Sequence, residues 1–143
     1  MKWLLDTNVL SELLRAEPDG RVLRWFAQQH AESLFVSAIT QAEMLYGAAL
    51  LPRGRRRTQL EQQQLQAMFD EEFDRRVLPF DGPAAAVYAA VVAARRSAGR
   101  PISQFDAQIA AIALTHRATL VTRNVEDFDG CGLSVVNPWQ VPD

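Results

Sequence analysis

Short apolar runs alternate with stretches of helical spacing along the whole chain. Trp3-Leu4-Leu5 is a brief apolar run ended by Asp6, which predicts a buried first strand. Val9, Leu10, Leu13 and Leu14 then recur at helical spacing. Pro18-Asp19-Gly20 is turn chemistry, and Val22, Leu23, Trp25 and Phe26 predict a second short helix. Leu34-Phe35-Val36 reads as a second strand closed by Ser37. A third helix is predicted from about Thr40 to Leu51, broken by Pro52 and Gly54. A long polar helix follows from about Arg55 to Asp74, with Leu60, Leu65, Met68, Phe69 and Phe73 on one side. Val77 to Phe80 is a short extended piece. Gly82-Pro83 opens a helix carrying Ala84 to Ala98, which stops at Gly99 before Pro101. Ser103 to His116 is the next helix, with Phe105, Ile109 and Ile112 on its apolar stripe. Thr119 to Thr122 and Leu133 to Val136 are the remaining strands, the last ended by Asn137-Pro138.

Strands alternating with helices imply crossover connections. The expected fold is therefore α/β: one domain over residues 1–143, an α/β/α sandwich around a central parallel sheet. Such sheets bind ligands outside the carboxyl ends of their strands. That rule selects Asp6-Thr7-Asn8, the segment from Ser37 to Glu43, and Thr122-Arg123-Asn124.

Composition narrows the class. A hydrophobic fraction of 48% and a charged fraction of 22% over 143 residues describe a soluble globular chain and exclude bulk disorder. A single cysteine, Cys131, excludes a disulfide framework and predicts a reducing, cytoplasmic setting. No apolar run approaches the roughly 20 residues that cross a bilayer, so no membrane partner is expected. A net charge of −2 does not advertise nucleic-acid binding through bulk charge. The dense basic cluster Arg53, Arg55, Arg56 and Arg57 fits a phosphate backbone, an acidic partner or a solvated helix start.

Asp6, Glu43 and Asp106 each stand just after a strand or in an early helical turn, without a local cation. Unpaired acids in apolar surroundings are costly, and neighbouring carboxylates repel. A divalent cation resolves both problems, and oxygen ligands without a Cys or His cluster select Mg2+ or Mn2+ over zinc. Capping accounts for the same residues. Thr40 to Glu43 and Ser103 to Asp106 place a hydroxyl three residues before an acid, and Asp6 is a preferred N-cap. Thr7, Asn8, Ser37 and Thr122 are suited to orienting carboxylates. Asn124 and Asp127 follow the strand at 119–122 as secondary candidates, and Arg123 is the best placed phosphate contact. No phosphate loop, dinucleotide fingerprint, nucleophile elbow or zinc spacing is present. An aspartate-nucleophile phosphatase needs a second Asp two residues after the first, where this chain has Asn8.

These blocks together resemble the PIN-domain family, especially VapC-like toxins of the FitB type. The resemblance rests on Leu4 to Leu10, Val36 to Gly47, Phe105 to Ala111, Leu120 to Phe128 and Asn137-Pro138-Trp139, in family order across almost the whole chain. It implies a metal-dependent endoribonuclease whose catalytic acids are Asp6, Glu43 and Asp106, with one or two Mg2+ or Mn2+ ions between Asp6 and Asp106. The fourth acid is either replaced by Asn124 or supplied by Asp127. The resemblance also implies an RNA substrate, a cognate antitoxin, a homodimer and a larger toxin–antitoxin assembly. The alternative is a catalytically weakened domain acting mainly as a binding module for its antitoxin.

Overall fold

A computed structural model of the chain describes residues 1–140. Its strands are β1 (Trp3–Leu5), β2 (Leu34–Ser37), β3 (Val77–Leu78), β4 (Thr119–Val121) and β5 (Val135–Val136). All the pairings are parallel, in the order β3-β2-β1-β4-β5. The chain steps from β1 outward through β2 to β3. It then returns to the other side of β1 and continues to β5. The order therefore reverses at the β1–β4 boundary. At such a switch point the flanking connections diverge and leave a crevice at the carboxyl ends.

Alternation along the strands divides the core in two. Leu5, Val36 and Val121 face one layer, with Val9, Trp25, Met44 and Phe69. Leu4 and Leu120 face the other, with Val91, Ile109, Ile112 and Phe128. The first layer is covered by helices α1 (Thr7–Leu13), α2 (Gly20–Ala27) and α3 (Ala38–Ala49), together with the arm that starts at α4 (Arg55–Thr58). The second layer is covered by α5 (Gly82–Ser97) and α6 (Gln104–Thr115). The expected sandwich is the observed one. Among the described residues, no helix is long and apolar enough to cross a membrane.

Three expectations are revised. The third helix starts at Ala38, not Thr40, because Ser37 at the strand end caps it directly by accepting the Thr40 N–H at 3.0 Å. Glu43 therefore lies in the second turn and is not part of a capping box with Thr40. The arm at 55–72 is helical, but Gln59–Leu65 and Met68–Glu72 are wound as π-helix. Its apolar side is as expected, with Leu65, Met68, Phe69 and Phe73 buried. Phe105 keeps the helical spacing of the apolar stripe of α6 but is 56% exposed. Helical spacing fixes a residue's direction around the axis, not where the packed layer ends along it.

Candidate active site

Asp6 stands where β1 becomes α1. Its backbone N–H continues the ladder to Val121 O at 2.9 Å. Its carboxylate then caps the helix, Oδ1 accepting from Thr7 N at 2.8 Å. Oδ2 accepts from the Thr122 hydroxyl at 2.8 Å and from Asn8 Nδ2 at 3.4 Å. Thr122 is fully buried, and its oxygen also accepts from Asn8 Nδ2 at 3.0 Å and Asn124 N at 3.1 Å. Asn8 Oδ1 accepts from Arg123 N at 3.2 Å. This network fixes the Asn8 amide, since each end has only one kind of partner. Helix capping and site formation are therefore two uses of the same Asp6 carboxylate.

The other two acids arrive from α3 and α6. Glu43 Oε1 accepts from the Thr7 hydroxyl at 3.1 Å, and that hydroxyl lies 3.0 Å from Thr40 Oγ1, with which it forms a second hydrogen bond. Asp106 follows the Ser103 cap, whose Oγ accepts from Asp106 N at 3.2 Å. Asp6, Glu43 and Asp106 line one open cleft of about 580 Å3 with Thr7, Asn8, Arg123 and Asn124. None of the three acids forms an ion pair with an arginine among the described residues.

The cleft disfavours its own charge. Burial pushes the Asp6 carboxyl up from 3.8 to about 6, against the hydrogen bonds of Thr122 and Thr7, and the Asp106 and Glu43 charges raise it further. Glu43 is also raised, first by burial and then by Asp106, while the Thr7 hydrogen bond lowers it. Asp106 is raised by burial and by Asp127, against the Ser103 hydrogen bond and the Arg95 charge. Between about pH 4 and pH 6 the folded protein therefore holds more protons at Asp6 than the unfolded chain does, so stability falls as pH rises through that window. At pH 8 the ionised Asp6 costs about 3 kcal/mol. In EDTA, the melting temperature is expected to rise as pH is lowered from 8 to 5. A melting temperature that falls over that range in step with an Asp6→Asn control would remove Asp6 as the cause.

Asn124 lines the cleft, whereas Asp127 lies on the exposed 3₁₀ turn Val125–Phe128 and acts on Asp106 only through its charge. The Arg53–Arg57 cluster lies apart from the cleft, with Arg57 Nε paired to Glu61 at 2.9 Å. Four lining residues are not legible as site residues in the sequence: Ser11, Glu12, Arg15 and Trp139, the last present there only as part of the Asn137-Pro138-Trp139 motif. Asn8, Ser11, Glu12 and Arg15 share one helical face opposite the apolar Val9, Leu10, Leu13 and Leu14. That polar stripe was the available signal for three of them. Glu12 is buried and accepts from Asp19 N at 3.0 Å and from Arg15 at 3.3 Å. Trp139 carried no polar signal.

The donors facing the cleft are oxygens, with no Cys or His among the lining residues. Among the described residues no three His, Cys, Asp or Glu side chains are grouped tightly enough to chelate an ion as they stand. The chemistry of the donor set fits a hard divalent cation that draws mutually repelling carboxylates together. Thr122→Val removes the donor to Asp6 and the acceptor for Asn8 and Asn124. It is expected to weaken Mn2+ binding, read by calorimetry, by about 10- to 100-fold. Unchanged affinity would show that the network does not orient Asp6.

Comparison with known proteins agrees with this arrangement. The PIN domain family matches residues 3–129. The VapC ribonuclease Y4jK of Sinorhizobium fredii is 43% identical over 137 residues, covering 96% of this chain and 97% of that protein. Toxin FitB of Neisseria gonorrhoeae is 40% identical over 136 residues, covering 95% of this chain and 97% of that protein. The crystal structure of FitAcB from Neisseria gonorrhoeae superimposes with a TM-score of 0.87 at 39% identity, covering 97% of this chain and 99% of that one. With the family matched over most of its length and two full-length relatives at or above 40% identity, the chain belongs to the PIN-domain family.

Proposed function

We propose that this chain is a divalent-metal-dependent endoribonuclease acting as the toxin of a toxin–antitoxin pair. The observation that carries the reading is the convergence of Asp6, Glu43 and Asp106 on one cleft at the sheet's switch point, none of them in an ion pair with an arginine among the described residues. Relatives named as a VapC ribonuclease and a FitB toxin support the substrate class and the biological role.

Asp6 and Asp106 would hold Mg2+ or Mn2+, with Asn124 contributing an amide oxygen and Asp127 a nearby charge. When bound, such an ion lowers the pKa of water and stabilises charge on phosphate oxygens. Glu43 accepts the proton of the attacking water, which its raised pKa favours. Thr7 holds Glu43 for that task, and Thr122 and Asn8 hold Asp6. Arg123 at the cleft rim contacts the substrate. The other roles follow from the toxin reading: a cognate antitoxin that covers the cleft, a homodimer, and a larger assembly of the two. The apolar stripe of Leu45, Tyr46 and Leu50, exposed along α3, supports a protein partner.

The deciding experiment is cleavage of a mixed set of transfer, ribosomal and messenger RNAs with Mg2+, with Mn2+ and with EDTA. Cleavage is expected with either metal and absent in EDTA. Metal-independent cleavage, or none under any condition alongside tight Mn2+ binding, would overturn the mechanism. Failure to bind Mn2+ at all would favour the weakened, antitoxin-binding reading, for which Asn124 in place of an acid is the motivating feature.

A further inference from the structure

Arg123 is an exposed cation at the cleft rim and, unlike Arg15, which pairs with Glu12, it forms no ion pair with the acids beside it. Its guanidinium carbon lies 5.0 Å from the centroid of the Trp139 ring. No ion pair involves it among the described residues. Its backbone is held by Asn8, whose Oδ1 accepts the Arg123 N–H at 3.2 Å. The floor beneath it is fixed as well. Trp139 is only 5% exposed and belongs to the core layer of Leu5, Val9 and Val121. Its backbone N–H donates to Asn137 Oδ1 at 2.9 Å. Arg123 and Trp139 both line the acidic cleft.

A phosphate contact alone does not call for this construction. A flexible point charge is enough for phosphate, and lysine supplies one. A guanidinium held 5.0 Å over a buried aromatic ring, on a residue exposed to solvent, has the ring on one side and the cleft on the other. An open guanidinium plane is a stacking surface for a nucleobase. A base inside a duplex has both faces occupied by its neighbours, so an unpaired base, or one at a helix end, is what can take this position. The cleft volume of about 580 Å3 lies in the range that holds a small organic ligand.

We propose that Arg123, seated on Trp139, is a stacking platform for an unpaired base next to the phosphate held at the Asp6–Asp106 end of the cleft. The assignment rests on the nuclease reading and narrows its substrate to RNA whose bases are splayed from a helix at this point. The guanidinium edge remains free to donate to phosphate, so face and edge act on the same nucleotide.

The test measures binding without cleavage, in EDTA, by fluorescence anisotropy. The probes are a labelled mixed-sequence single-stranded RNA ten-mer and the same backbone carrying abasic sites. Wild type is expected to bind the base-bearing strand about tenfold more tightly than the abasic one, the effect of one stacked base. Arg123→Lys keeps the charge and loses the plane. It is expected to bind both strands equally, at the level wild type shows for the abasic strand. Trp139→Phe keeps an aromatic floor and is expected to retain most of the preference. Equal binding of both strands by wild type, or full preference in Arg123→Lys, overturns the platform. Mn2+-dependent cleavage is measured in parallel. Cleavage without base preference removes the platform and leaves the nuclease reading; base preference without cleavage does the reverse.

Discussion

Asp6→Asn is expected to lower Mn2+-supported RNA cleavage by at least about 10³-fold while leaving the fold intact. The size follows from removing about 4 kcal/mol of transition-state stabilisation, the scale on which a lost ion-holding charge acts. The fold persists because two effects oppose each other. The wild-type carboxylate is buried and pushed up to about 6, so its charge is a burden on the metal-free protein at neutral pH. Asparagine removes that burden. It also turns one acceptor into a donor facing Thr122 Oγ1, which already accepts from Asn8 and Asn124. The Asn carbonyl still accepts the capping Thr7 N–H. Activity and thermal stability should therefore move apart: cleavage lost, melting temperature within a few degrees of wild type at pH 8. Measuring both on one preparation decides the matter. Cleavage within tenfold of wild type at saturating Mn2+ would show that Asp6 is a cap and nothing more.

Arg95→Met is expected to have the largest effect on stability, a loss of about 3 kcal/mol and roughly 10 °C in melting temperature. Arg95 is 6% exposed in the last turn of α5 and ties three chain segments together. Nε donates to Arg100 O at 2.6 Å, and Nη1 donates to Asp127 O and Asp129 O, both at 2.9 Å. The chain reverses just after this turn through Gly99 at φ +73°, a conformation a side chain makes costly. Methionine fills the space of the aliphatic stem and supplies no donor, so three carbonyls lose their partner. The turn that carries Asp127 loosens as a result, and Asp106 loses a nearby positive charge. Arg95→Lys, with one cationic donor group, should recover part of the loss. Thermal melts of the two variants test the account. A melting temperature for Arg95→Met within 3 °C of wild type would mean that the carbonyls find water instead.

The strand and helix order was readable because periodicity is a local signal, and nearly every predicted element exists. The misplacements have local causes too. A strand that passes into a helix without a loop leaves no turn chemistry to mark the boundary, so the start of α3 was set two residues late and Glu43 one turn early. Phe105 keeps the spacing of Ile109 and Ile112, yet it stands in the first turn of α6, beyond the packed layer. The π-helical winding of Gln59–Leu65 leaves the same apolar residues on the buried side and had no sequence mark. Among the site residues, Asp6 was legible as an acid placed where an apolar run stops. Trp139 was not, since a tryptophan that floors a cleft looks in sequence like any core aromatic.

The sequence by itself determined the alternation of strands and helices, the acid at the end of the first strand and the family likeness of its motif blocks. These are properties of neighbouring residues, which spacing and side-chain type express directly. Only the tertiary structure decided that Thr122 donates to Asp6 across 116 positions of sequence, that Thr7 holds Glu43 and that Arg123 rests on Trp139. Those contacts depend on which strands lie side by side in the order β3-β2-β1-β4-β5: β4 beside β1 for Thr122 and Asp6, β2 beside β1 for Thr7 and Glu43, and β5 beside β4 for Arg123 and Trp139. That choice is made by burial of both faces of the sheet at once, a collective preference that no single stretch of chain carries.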